Sequence, residues 1–258
     1  MMLRFHVCVI LLLAGTLGGV VGRAGLALGD DFRVDNAVYI DDQKEPTSES
    51  TTFFHEGVVY DCMRSPAETV VFNRTAGQFV LLNHSGRIRA ELTTAQVTAF
   101  VNRLQPLAAK QKDPLVRFLA DPKFDERFDP SRGELSFSSP LVTYRAVLSE
   151  ENPAAVEQYR EFSDWYARLN AMLTPGSRPP FGRLVVNAAI ARRKAIASQV
   201  TLTLASSKSG GKPSTIRSTH DVVRSLTPTD LERVAQLREL MSRFKLESFD
   251  KYRKSGVK

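Results

Sequence analysis

The chain has only two cysteines, Cys8 and Cys62, one tryptophan and four histidines in 258 residues, and no apolar run after residue 21 that would cross a membrane. Each scarcity excludes something. Cys8 falls in an N-terminal leader, too early to be a lipidated residue after processing, so Cys62 has no partner within the remaining chain. The fold must be held by packing, not by disulfides. With no histidine within five residues to activate it, Cys62 reads as a small buried hydrophobe. His55, His84 and His220 stand at no metal-ligand spacing, so nothing points to zinc or another metal. There is no Gly-x-Ser-x-Gly elbow. Gly210-Gly211-Lys212 is not a phosphate loop, because the earlier glycine is missing and proline follows. No cofactor and no nucleic-acid partner is expected.

What is present begins with the leader. Arg4 and His6 precede an apolar run from Val7 to Val21, then small residues through Gly29. A charged start, a short apolar stretch and a small-residue exit predict a signal peptide over 1–29, cleaved after Gly25-Leu26-Ala27 or Ala27-Leu28-Gly29. The run falls short of the roughly 20 residues a spanning helix needs. A secreted or periplasmic protein is expected, with residues 30–258 forming one α+β domain and no transmembrane segment once the leader is removed.

The net charge of +7 is unevenly spread. Residues 30–175 carry 16 basic and 22 acidic side chains, residues 176–258 carry 17 and 6. The basic last third has one tight cluster, Arg192-Arg193-Lys194, a candidate contact for an anionic polymer or membrane surface. A solvated face is the plainer reading, and its position near a predicted helix C-terminus gives the cluster a structural role there.

The strand pattern comes early. Phe32–Ile40 reads as a strand, and the polar 41–52 as a mobile loop. Four β-rich runs follow, Phe53–Met63, Thr69–Asn73, Gln78–Asn83 and Arg87–Leu92, separated by turn residues, which predicts an antiparallel meander. Thr93 and Gln96 form a capping box opening a helix that Pro106 should end or kink. The acidic group Asp121, Asp125, Glu126 and Asp129 reads as a solvated loop, lacking the pattern of a calcium loop. A hairpin follows over Glu134–Ser149.

Asn152 caps the clearest helix, with Pro153 at its first position and Val156, Tyr159, Phe162, Trp165 or Tyr166, Leu169 and Met172 or Leu173 at helical spacing. The pattern then predicts a helix over Phe181–Ser198, a strand over Val200–Leu204, a second strand over Thr215–Leu226, and a final helix from Thr227. Sequons at Asn73 and Asn83 permit glycans.

The runs Phe54–Asp61, Thr69–Asn73 and Gln78–Asn83 give the meander a resemblance to uncharacterised bacterial secreted proteins and, more distantly, to the curved sheet of periplasmic lipoprotein-carrier proteins. That resemblance implies a half-barrel-like antiparallel sheet packed against two or three helices, with an inner face that can hold an acyl chain. The expected function is a non-catalytic binding protein holding an apolar or lipid-like ligand between sheet and helix, with Tyr159, Phe162 and Trp165 as candidate contacts. The alternative is an interaction module touching an anionic envelope component through Arg192, Arg193 and Lys194.

Overall fold

The structure is a computed structural model describing residues 31–206 and 211–255; the predicted signal peptide lies outside the described residues. The chain first runs through six strands, β1 (Phe32–Ile40), β2 (Ser48–His55), β3 (Val58–Met63), β4 (Glu68–Asn73), β5 (Gln78–Asn83) and β6 (Ile88–Thr93). Two helices, α1 (Thr94–Ala109) and α2 (Pro114–Ala120), lead to β7 (Asp125–Asp129), β8 (Glu134–Ser138) and β9 (Val142–Glu150). Then come α3 (Pro153–Leu173), α4 (Phe181–Arg192), β10 (Ala195–Leu204), β11 (Ser214–Val223), α5 (Pro228–Arg243), β12 (Lys245–Leu246) and α6 (Phe249–Ser255).

The 12 strands of the described residues join one curved, unclosed sheet in the order β12-β6-β5-β4-β3-β2-β1-β11-β10-β9-β8-β7. Every pairing is antiparallel except the short β12–β6 pair. The α+β class and curved antiparallel sheet are therefore those expected, with six helices among the described residues.

Several boundaries differ from expectation, each for a local reason. Phe53–Met63 is not one run but two strands, because Glu56 and Gly57 both take positive φ, 51° and 74°, and make a two-residue hairpin turn. The expected loop 41–52 ends early: β2 starts at Ser48 and pairs Ser48, Ser50 and Thr52 with Val38, Asn36 and Val34 of β1. Its polar side chains face a cavity instead of a core. The acidic segment expected as a loop contains β7, an edge strand exposed along all five residues, and its charges discourage pairing with another chain. Pro106 lies inside α1, which continues to Ala109. α4 stops at Arg192 because Lys194 takes a positive φ of 54°, and Ala195–Ala197 already pair with β9.

Both predicted helix starts hold. Thr93 with Gln96, and Thr227 with Asp230, form complete capping boxes. Asp230 also accepts two hydrogen bonds from the Arg33 guanidinium, tying the start of α5 to β1.

Helices cover both faces of the sheet. On one, α3 packs its apolar stripe, including Phe162, Trp165 and Leu169, onto Phe32, Phe54, Phe72, Phe79 and Leu81. On the same face, α2 and α4 cover a second cluster built from Leu135, Phe137, Ala146 and Val200. On the opposite face, Val234 and Leu237 of α5 pack on Phe53, Tyr60, Val71 and Leu82. Asn83 is 6% exposed and its carboxamide is engaged with Gly86 and Ser255, so the folded chain has no room for a glycan there, whereas Asn73 is exposed.

Candidate functional site

The two apolar clusters on the α3 face do not meet. Between them, over the seam where β1 pairs with β11, lies a cavity of about 360 Å³. Ligand sites commonly span roughly 300–1,000 Å³, so it suits a small ligand. α3 roofs it with Ser163, Tyr166, Ala167 and Asn170, a helical stripe beside the apolar one, and with Tyr159 and Phe162 at the edge of the apolar stripe itself. The alternating pleat of the strands supplies the floor: Asn36 from β1, Ser50 and Thr52 from β2, Asp61 from β3, Ser218 and His220 from β11.

The floor is a connected hydrogen-bond network. Ser50 Oγ and Thr52 Oγ1 donate to Asp61 Oδ1 at 3.0 and 2.7 Å. Asn36 Nδ2 donates to the oxygens of Ser50 and Thr52 at 3.2 and 3.0 Å. Asn36 Oδ1 accepts from His220 Nδ1 at 2.8 Å, which fixes the proton on that nitrogen, and His220 Nε2 accepts from Ser218 Oγ at 3.0 Å. The Tyr159 hydroxyl lies 3.2 Å from His220 Nδ1. Burial raises the Asp61 carboxyl above the usual carboxylate range, opposed by the Thr52, Ser50 and Tyr166 hydroxyls. Burial, reinforced by the Arg183 charge, pulls His220 down to about 3.

That displacement has a measurable consequence. Unfolded, His220 takes up a proton near its ordinary value of about 6.5; folded, it does so only near 3. Between those values the unfolded state binds more protons, so this residue's contribution to stability is whole above pH 6.5 and is lost as pH falls. Asp61, raised in the fold, acts in the opposite sense. A His220→Asn variant isolates the histidine: the stability difference between it and the parent should shift against the parent by roughly 2 kcal/mol between pH 6.5 and 4.5 in urea unfolding. A difference that does not change with pH would show that the imidazole is not held neutral.

The candidate residues separate. Tyr159 and Phe162 line the cavity. Trp165 does not; its ring lies 6.2 Å from both Phe72 and Phe79, under the Arg168 guanidinium. Arg192 and Arg193 engage β7, the first paired with Glu126 at 2.9 Å and the second stacked 3.7 Å over Phe128. Lys194 marks the end of α4. Cys62 faces away from this cavity, and burial pushes its thiol up to about 11.

Sequence reading missed Asn36, Ser50, Thr52, Asp61, His220 and Arg183. Their signal was the alternation Ser48-x-Ser50-x-Thr52 and Ser218-x-His220, one polar face on each of two strands. Among the described residues, no group of three or more His, Cys, Asp or Glu could hold a metal, and no helix is long and apolar enough to cross a membrane.

No family model matches the chain, and no curated protein does. Among solved structures it is similar to a LolA superfamily protein from Nitrosomonas europaea, at 10% identity and a TM-score of 0.30, covering 79% of this chain and 90% of that one. Likeness of that size says nothing of ligand or activity.

Proposed function

We propose that this is a non-catalytic binding protein that holds a small amphiphilic ligand in the cavity beneath α3. The observation that carries the reading is the hollow itself: the α3 face is filled by side chains on either side, yet open over Asn36, Ser50, Thr52 and His220. Its lining has two characters. Val38, Met63, Phe162 and Leu202 offer apolar surface; the hydroxyls and amides of the floor fix orientation.

The enzyme reading has one feature in its favour, the chain Ser218–His220–Asn36, which has the connectivity of a nucleophile, a base and an orienting group. The electrostatics argue against it. An imidazole pulled down to about 3 is a very poor acceptor for a serine proton at neutral pH. The cation that would form faces Arg183 instead of a carboxylate. Binding is therefore favoured over acyl transfer. The interaction-module reading loses ground, since Arg192 and Arg193 already have partners within the chain. Delivery across a membrane rests on residues 1–29, whose pattern supports a secreted or periplasmic location.

Native mass spectrometry of the full chain, extracted gently from its own host, provides the test. A population carrying one small amphiphile at unit stoichiometry is the expected result. A spectrum of bare protein alone, together with failure of added single-chain amphiphiles to bind, would overturn the reading.

A further inference from the structure

Two arginines at this cavity have no partner among the described residues. Arg183, in the first turn of α4, is half-buried, and Arg178, in the loop before it, is exposed; both line the cavity. Neither guanidinium makes a hydrogen bond or ion pair with any described residue. Among the other half-buried arginines of the described residues, Arg33, Arg89, Arg160 and Arg253 are each paired with a carboxylate, and Arg168 and Arg217 stack on Trp165 and Tyr39; exposed arginines without a partner, such as Arg87 and Arg103, have water instead. A guanidinium partly removed from water and left unpaired is costly, which makes an external anion the natural complement.

The neighbouring carboxylates are already committed. Asp164, on the roof helix, accepts from Asn187 at 2.9 Å and from Arg160 at 3.2 Å. Asp61 is engaged by Ser50 and Thr52. The charges also lie apart along the cavity. Arg178 and Arg183 enter from the loop before α4 and its first turn, where Gly182 packs close to the Tyr144 ring of β9. Tyr144 sits on β9 and Asp61 on β3, five strand positions away, or roughly 24 Å measured along the sheet. The cavity therefore has a cationic end under the start of α4 and a polar, apolar-flanked body running beneath α3.

From this we infer that the ligand is a single-chain amphiphile with an anionic head, a carboxylate or a phosphate monoester, held by Arg183 and Arg178, its chain lying along Phe162 and Leu202. The inference rests on the cavity being a ligand site, and adds the charge of the ligand and the direction in which it lies. Arg183 matters more than Arg178, since partial burial weakens the competition from water and salt. A cavity of about 360 Å³ leaves no space for several chains.

The experiment is calorimetric titration of the full chain with decanoate, decyl phosphate and 1-decanol, each below its self-association limit. The two anions should bind at least roughly tenfold tighter than the alcohol, as charge-assisted hydrogen bonds imply. Whichever anion binds tighter identifies the head. Arg183→Met should erase the anion preference and leave decanol affinity unchanged; Arg183→Lys should keep part of it. Equal binding of all three, unaffected by Arg183→Met, would overturn the anionic head and leave the cavity reading intact. If none of the three binds, both fail. Because the parent comparison needs no variant, misfolding of Arg183→Met does not protect the inference.

Discussion

Replacing Phe72 by alanine should remove about 3–5 kcal/mol of stability, a large part of the 5–15 kcal/mol that a folded domain commonly has. Phe72 is 1% exposed. Its ring stacks on Phe79 with centroids 4.6 Å apart, and Trp165 of α3 closes over both. Truncation opens a hole that neither Phe79 nor Trp165 can fill without leaving its own contacts, so transfer and cavity costs add. Because there is no disulfide among the described residues, nothing covalent offsets the loss. Phe72→Leu should cost much less, since most of the volume remains. Urea unfolding followed by Trp165 fluorescence reads both; a Phe72→Ala midpoint close to the parent's would mean that α3 is not fastened to the sheet through this pair.

Ala167→Trp should abolish ligand binding while sparing the fold. Ala167 lies on the cavity stripe of α3, beside Ser163 and Tyr166, and not on the apolar stripe that carries Phe162 and Leu169 into the core. An indole at that position projects into the hollow and occupies space a ligand chain needs. Decanoate affinity should fall by about a hundredfold or more, equivalent to about 2.8 kcal/mol. Overpacking in a filled core costs roughly 1–3 kcal/mol; here there is open space, so the thermal midpoint should move little. Leu231→Trp is the matched control, as Leu231 is exposed on α5 on the far side of the sheet. If Ala167→Trp binds decanoate as well as the parent does, the ligand lies elsewhere.

The sequence was legible where a feature depends on residues close along the chain. Thr93 with Gln96 and Thr227 with Asp230 announce their helices because a capping box is completed within four residues. β1, β4 and β5 carry enough apolar side chains to declare themselves, and Asn152-Pro153 marks the start of α3. The two-residue β12, the first half of β2 and the whole of β7 escaped notice, the last two for opposite reasons. β2 is polar at its start because that half faces the cavity; β7 is charged because it is an edge strand held by β8 and by Arg192 and Arg193. Binary patterning assigns both to solvent.

The site was legible only on its helical side. Tyr159 and Phe162 stand on a visible stripe, but the same stripe reading drew in Trp165, one helical step round, which packs in the core. Asn36, Asp61, His220 and Arg183 come from β1, β3, β11 and α4, and only the strand order β3-β2-β1-β11 brings the first three together. No spacing in the sequence encodes that adjacency. It depends on β11, near the chain's end, pairing with β1 near its start.

The most direct test of the binding site is amide chemical-shift mapping of the full chain titrated with decanoate. The two faces of one sheet then serve as site and control. Shifts concentrated at Ser50, Thr52, Ser163, Ala167, Ser218 and Arg183, with Val234 and Leu237 of α5 unmoved, are the result the structure predicts. Shifts centred on α5, or none at saturating decanoate, would contradict it.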